Sequence, residues 1–313
     1  MDEHIPVLLD EAIDSLGIKP NGIYVDLTLG RAGHASQILA RLNRKGRLIG
    51  IDQDAQAIEN SKIALSKIGS NFETVHENFR NFKEVLYTLN IQKVDGILMD
   101  LGVSSPQFDD SERGFSYRSN ARLDMRMDER NSLTAYEIVN TYSVTDLARI
   151  FGEYGEDKYA YQIARKIAEA RISAPVVTTQ QLVDLIKSAK PMKELAKKGH
   201  PAKQIFQALR IEVNDELGAL EITIKDALKL LNVGGRLVVI SFQSLEDRLI
   251  KEAFRKVTVV EGTRRNVFSL PKEEEMPKFR LIHRKIVTPS AREINRNPRS
   301  RSAKLRAIER IKE

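Results

Sequence analysis

Along the first hundred residues, apolar runs of strand length alternate with amphipathic helical stretches. Residues 22–30 (GIYVDLTLG) read as a strand ending in a turn, with a helix over 34–42 behind it. Residues 47–52 (RLIGID) read as a second strand followed by a helix over 55–67, and 72–76 as a short third strand before a helix over 80–89. Residues 94–101 (VDGILMDL) are apolar enough for a strand buried on both faces. This rhythm predicts an α/β fold, a parallel, doubly wound sheet with right-handed crossovers. From about 109 to 214 the pattern turns helical, over 144–151, over 158–171 and from 179 onward, with no strand signal. Past 215 the α/β rhythm resumes with a long helix to 231 and a strand over 234–242 (GGRLVVISF). Ser244 then opens a helix with Asp247 three positions on, near a capping-box spacing. Segments 258–260 and 279–287 are expected as closing strands. The expected organisation is one discontinuous α/β domain, 1–108 with 215–313, carrying an inserted helical domain over 109–214.

Composition narrows the chemistry. With no cysteine there is no disulfide, no thiolate ligand and no thiol nucleophile, and a reducing cytoplasm is the expected setting. No window approaches the roughly 18 consecutive apolar residues that a membrane span needs, so no membrane partner is expected. The acidic, amphipathic start MDEHIPVLLDEAIDSL reads as neither signal nor transit peptide. The net charge of +7 favours polyanionic partners. Much of it lies in the tail, where Arg284, Lys285, Arg292, Arg296, Arg299, Arg301, Lys304, Arg306, Arg310 and Lys312 face only Glu293, Glu309 and Glu313. His4, His76, His200 and His283 show no metal-ligand spacing. The acids Asp109, Asp110, Asp124 and Asp128 sit among Arg113, Arg118, Arg122, Arg126 and Arg130, which predicts internal ion pairs and no metal.

In open parallel sheets ligands bind beyond the carboxyl ends of the strands. Four such ends are distinctive. The first, DLTLGRAGH from Asp26 to His34, places Gly30 and Gly33 at a strand-to-helix turn where backbone approaches a ligand closely, though the dinucleotide pattern G-x-G-x-x-G is absent. The second is Asp52, placed to accept from ribose hydroxyls, with Asp54 available as a helix cap. The third is the Glu77-Asn78-Phe79 turn, where the aromatic would lie on an adenine or pack in the core. In that order the three favour a nucleoside cofactor, and NAD and S-adenosylmethionine both fit. The fourth end, Asp100-Leu-Gly-Val-Ser104-Ser105-Pro106-Gln107, favours S-adenosylmethionine. An exocyclic base nitrogen is a poor nucleophile because its lone pair is delocalised. Acceptors on its N–H bonds, held by a rigid turn, localise the lone pair and aim it at a methyl group.

These residues closely resemble the bacterial 16S rRNA cytosine-N4 methyltransferase family, also called MraW or RsmH. The likeness runs nearly end to end, through HIPVLLDEAI, DLTLGRAGHAS, GIDQDAQAI, MDLGVSSPQFDDSERGFSYR, HPAKQIFQALRIEVNDEL, VISFQSLEDR and NPRSRSAKLRAIER. It implies a class I S-adenosylmethionine-dependent methyltransferase, Rossmann-like with a mostly parallel seven-stranded sheet, and an inserted all-helical domain. It further implies methyl transfer from S-adenosylmethionine to the exocyclic N4 of a cytidine in the decoding region of 16S rRNA. Cofactor positions carried over are Ala32, Gly33, His34, Asp52, Phe79, Asp100 and Gln107, and the catalytic ones Asp100, Ser104, Ser105 and Pro106. The chain departs from the family at Ala32, where many relatives have glycine, and at Gln243, where SFHSLEDR is usual. Ala32 is expected to serve through its N–H if its φ is negative. Gln243 is expected to hydrogen-bond substrate or neighbours, since an amide does no acid–base chemistry. His34 is expected to hydrogen-bond on the cofactor side.

The partner implied is the small ribosomal subunit with its 16S rRNA, the RNA being held by Lys203 and Arg210 of the inserted domain and Arg299, Arg301, Lys304 and Arg306 of the tail. The target base would be flipped into a pocket between 104–107 and the inserted domain, with Phe115 or Tyr117 free to stack on it or to pack in the core. A homodimer is one option for the assembled state. The rival readings are a nucleotide-linked dehydrogenase, a DNA or protein methyltransferase, and a weakly active or inactive ribosome assembly factor with the same fold.

Overall fold

Strands and helices alternate from the start: α1 (Leu9–Leu16), β1 (Ile23–Asp26), α2 (Gly33–Leu39), β2 (Arg47–Asp52), α3 (Ala55–Ser66), β3 (Phe72–His76), α4 (Phe82–Thr88) and β4 (Val94–Asp100). The computed structural model describes residues 6–103, 108, 110–259 and 276–313. Each strand sends alternate side chains to two cores, as a period of two requires. Val25, Ile49, Ile51, Ile97 and Met99 pack on one face of the sheet, whereas Tyr24, Leu48 and Leu98 pack on the other. Because both faces are covered, β4 is a nearly continuous apolar run. α3 starts where it does because the Asp54 carboxylate accepts from the Gln56 N–H at 2.9 Å.

Helices follow: α5 (Ala135–Thr141), α6 (Val144–Glu153), α7 (Ala160–Ser173), α8 (Thr179–Ala189), α9 (Met192–Leu195) and α10 (Lys203–Asn214). Thr134 with Glu137, and Thr178 with Gln181, form capping boxes that start α5 and α8. Leu147, Ile150 and Phe151, Ile163 and Ile167, Leu182 and Ile186, and Ile205 and Leu209 recur at helical spacing and share one core. Asp215, with φ +46°, ends α10 and α11 (Glu216–Leu230) begins. Then come β5 (Leu231–Ser241), α12 (Ser244–Thr258), β6 (Phe279–Leu281), α13 (Ala291–Arg296) and β7 (Lys304–Arg310).

The chain divides into two units, Met1–Gly102 with Gly218–Glu313, and Val103–Leu217. In the first, seven strands pair in the order β3-β2-β1-β4-β5-β7-β6. Pairs from β3 to β5 are parallel, while β7 runs antiparallel to both β5 and β6. In the second, the described residues contain helices and a single isolated bridge, Arg122 with Thr178.

Several expectations need correcting. β1 stops at Asp26, because the segment to Ala32 turns away to form the ligand-side loop. Helix 80–89 is a 3-10 turn over Phe79–Asn81 followed by α4. Thr258 is the last residue of α12 and no strand. Of 279–287 only β6 is extended, with Val287 in an isolated bridge to Leu305. The end of the basic tail, for which no strand was expected, supplies β7, in which Leu305, Ala307 and Ile308 are buried. Its charges masked those apolar positions. The capping acid of α12 is Glu246, which accepts from the Phe242 and Gln243 N–H groups at 2.9 and 3.2 Å, in place of the Ser244–Asp247 pair.

Candidate active site

Parallel pairing lines up the carboxyl ends of β2, β1, β4 and β5. Gly50 stands beside Asp26, Leu98 beside Asp26, and Ile240 beside Asp100. Acids therefore gather at one edge without any long-range signal beyond strand length.

The loop after β1 is built by backbone. Leu27 N–H reaches Leu98 O at 2.9 Å, and Leu29 N–H reaches Ile51 O at 3.0 Å. Gly30, with φ +51°, donates its N–H to Asp52 Oδ2 at 2.8 Å, while Asp52 Oδ1 accepts from Asp54 N–H at 2.9 Å. With the Gln53 N–H also on this carboxylate, Asp52 is fixed by backbone donors and keeps acceptor capacity for a hydroxyl. Burial, opposed by those N–H groups, pushes the Asp52 carboxyl up to about 6.

Ala32 departs from what was expected. Its φ is +60°, in the left-handed region, and its N–H is spent on Leu29 O at 2.7 Å. The condition for a backbone contact from this N–H is not met, and what remains is a buried methyl lining the turn. The conformation costs a non-glycine residue about 1 kcal/mol, which explains why glycine suits this position. At Gly33 an added Cβ would come within 2.2 Å of Pro6 Cγ, so packing of the N-terminal segment alone demands glycine there.

His34 is 6% exposed; its Nε2 pairs with Val7 O at 3.0 Å, and its Nδ1 lies 3.8 Å from Asp100 Oδ2. Asp100 is anchored by its N–H to Thr28 Oγ1 at 2.6 Å. Its Oδ1 is buried without a hydrogen-bond partner among the described residues. Burial, with Asp26 and Glu246 close by, holds the Asp100 carboxyl well above the usual carboxylate range. Asp26, 2% exposed, is pushed up to about 7, by burial first and by Asp52 as well, against the Thr28 N–H. Phe79 is half-buried against the core, and its carbonyl accepts from Thr223 Oγ1 at 3.3 Å.

This edge fits a cationic nucleoside. It offers a buried acceptor without a partner, two further buried acids and a half-free ribose-type carboxylate, and these suit a sulfonium with an adenosine attached. Ser104, Ser105, Pro106 and Gln107 lie outside the described residues. Asp26 and Glu246 were not nominated from sequence. Asp26 closes β1 just as Asp100 closes β4, and that parallel is the signal that pointed to it. Glu246 looked like an ordinary helix-start acid.

The proposed RNA contacts fall into two groups. Lys203, Arg299 and Arg301 are exposed. Arg210 instead forms a two-pronged pair with Glu216 (2.7 and 2.8 Å), and Lys304 and Arg306 hold Asp247 at 3.2 and 2.8 Å. These three groups are engaged in ion pairs inside their own units, with Lys304 the most exposed of them. In the helical unit Phe115 is core, while Tyr117 stacks on His200 (4.3 Å between centroids, 12° between planes) with Phe206 edge-on. The Asp124–Arg126 and Asp128–Arg130 pairs, each at 2.7 Å, are the internal ion pairs that composition suggested.

A sheet of this order, with a glycine turn after β1, a ribose-type acid after β2 and a buried acid after β4, defines a class I S-adenosylmethionine-dependent methyltransferase. Residues 1–311 match the sequence model of the MraW methylase family, and the chain belongs to that family. It is 53% identical over 311 residues to the ribosomal RNA small subunit methyltransferase H of Streptococcus pyogenes serotype M4 (strain MGAS10750), covering 99% of this chain and 98% of that one. Among solved structures, an rRNA methylase from Streptococcus thermophilus is similar at a TM-score of 0.42 and 13% identity (99% and 100% of the two chains). TrmN from Thermus thermophilus is similar at 0.43 and 12% identity (97% and 48%). At that level neither bears on individual residues.

Proposed function

We propose that this methyltransferase acts on small-subunit 16S rRNA in the cytoplasm, at the exocyclic N4 of one cytidine in the decoding region, with the base flipped out of its stack. The rRNA assignment is supported by the relative from Streptococcus pyogenes, aligned over nearly the whole of both chains. The amine assignment is carried by one observation: Asp100 ends β4 with a buried oxygen that accepts no hydrogen bond among the described residues. S-adenosylmethionine, when bound, supplies an electrophilic methyl group on a positively charged sulfur. Asp26 and Asp100 place negative charge where that cofactor's cationic end belongs, and Asp52 takes its ribose hydroxyls. Phe79 offers the adenine a face. His34, tied to Val7 O, holds an imidazole nitrogen toward Asp100 and keeps that carboxyl oriented. Asp100 Oδ1 accepts an N–H of the base, which localises the nitrogen lone pair along the line of transfer. The proton released after transfer passes to water. The helical unit, with exposed Lys203, and the exposed Arg299 and Arg301 bind the rRNA phosphates.

Labelled methyl transfer to small subunits lacking the modification, beside free rRNA and DNA, tests this when the product nucleoside is analysed. N4-methylcytidine on the subunit is the expected product. A C5- or ribose-methylated nucleoside would remove the amine reading, and transfer to DNA alone would remove the rRNA reading.

A further inference from the structure

A second buried acceptor belongs to the same edge of the sheet. Gln243 follows β5, whose neighbour in the sheet is β4, and the two chains stay joined past Asp100 through Leu101 N–H to Ile240 O at 2.9 Å. The Gln243 side chain is not free to turn. Its Nε2 donates to Glu246 Oε1 at 2.8 Å, and the other Glu246 oxygen accepts from the Phe242 and Gln243 N–H groups. Glu246 is 2% exposed and acts there as an acceptor, so only the Nε2 edge of the amide can face it. The amide is thereby fixed, and its Oε1 is buried with no hydrogen-bond partner among the described residues. An unpartnered buried acceptor costs about 1–3 kcal/mol, a penalty that a fold retains where a ligand donor meets the group.

We propose that Gln243 is a substrate-positioning residue: its fixed Oε1 accepts an N–H of the amine that receives the methyl group. The assignment rests on the reading of the acceptor as a base amine. An amide suits the place because Asp26, Asp100 and Glu246 already supply acids at this edge, and a neutral acceptor adds direction without adding charge. An edge offering only acceptors takes an amine and rejects a carbonyl oxygen, so the same oxygen selects cytosine over uracil. Glu246 is the group that keeps the amide from flipping. A neutral imidazole at this position would do the same work. With one N–H on Glu246, its other ring nitrogen is left as an acceptor.

The test compares Gln243→Met, which keeps the length and removes the acceptor, with Gln243→His, using small subunits as substrate. Gln243→Met is expected to lower kcat/KM by roughly 10- to 100-fold, with S-adenosylhomocysteine affinity by calorimetry and the melting temperature unchanged. Gln243→His is expected to recover most of the lost rate. Wild-type kinetics with Gln243→Met, or a Gln243→His variant as slow as Gln243→Met, overturns the proposal. Weakened S-adenosylhomocysteine binding in Gln243→Met also overturns it, by assigning the oxygen to the cofactor's ammonium. If the wild-type product carries no N-methylated base, the amine reading falls first and takes this assignment with it. If that product is N4-methylcytidine and Gln243→Met is fast, only the role of Gln243 falls.

Discussion

Acids of the helical unit and acids at the carboxyl edge of the sheet are treated in opposite ways. In the helical unit four buried or half-buried carboxylates each have a cation of their own. Asp157 holds Lys190 Nζ at 2.5 Å with both side chains nearly inaccessible, Asp124 holds Arg126, Asp128 holds Arg130, and Glu216 holds Arg210. At the carboxyl edge of the sheet, Asp26 is just as enclosed and Asp100 buries its Oδ1, yet what they meet is backbone N–H, a histidine at 3.8 Å and other acids. A paired acid is structural, whereas a buried acid left without a cation is held for a ligand that brings one. The difference marks the sheet edge as the chemical part of the molecule, and mutations can break it from either side.

The largest effect is expected on the structural side. Lys190 also donates to Pro201 O at 2.8 Å, so Lys190→Met leaves Asp157 buried with no cation and a carbonyl without its donor. Urea unfolding should show a loss of about 3–5 kcal/mol, of which a second change, Asp157→Asn, returns part. If Lys190→Met were neutral, the claim that the helical unit depends on its pairs would fail. Next comes Asp100→Asn. It removes an acid whose charged form burial and the nearby Asp26 and Glu246 disfavour, so the cofactor-free enzyme should melt no lower than wild type while methyl transfer drops by roughly 10²–10³-fold. A variant that lost stability and kept activity would place Asp100 among the structural acids.

Asp26 sharpens the same contrast through pH. Its folded-state value of about 7 lies above the ordinary 3.8, so the folded protein binds a proton there more tightly than the unfolded chain. Stability from this group is therefore intact below about pH 4 and is lost progressively as pH rises towards 7. Asp26→Asn keeps the oxygen that accepts from Thr28 N–H and removes the titration. The stability difference between variant and wild type should grow in the variant's favour between pH 5 and 8, reaching on the order of 2 kcal/mol in cofactor-free protein. Saturating S-adenosylmethionine should shrink or reverse it. Identical pH profiles for the two proteins would show that Asp26 bears no such burden.

Much of the sheet was legible because burial on both faces writes itself as apolar runs. β2 and β3 fall on their expected residues, and β4 within one residue of its expected end. The acids at strand ends followed directly, since parallel register converts strand ends into one edge. What stayed hidden was decided by partners distant in the chain. Arg310 is buried because Leu231 and Lys229 carbonyls take its guanidinium, and Arg306 lies against Asp247. Those pairings turn a basic tail into β7, and no local pattern announces them. Ala32 misled for a related reason. Its left-handed φ comes from closing a turn onto Leu29, a constraint that alanine does not advertise as glycine would. Gln243 was visible only as a departure from the family form, and its locked amide needed Glu246 in place.

The smallest effect separates cations that serve RNA from those that serve the fold. Arg299 and Arg301 are exposed, whereas Arg210 is tied to Glu216 by two hydrogen bonds. If the exposed pair contacts phosphate, Arg299→Ala and Arg301→Ala should each weaken rRNA binding modestly and flatten the slope of log affinity against log salt by roughly 0.7–0.9. Cofactor affinity should not change. Arg210→Ala should leave the salt slope alone and lower the melting temperature, because Glu216 loses the partner that neutralises it beside the start of α11. A flattened slope for Arg210→Ala would mean that the ion pair opens to receive phosphate, and the rule that a paired charge is a structural charge would then fail at Arg210.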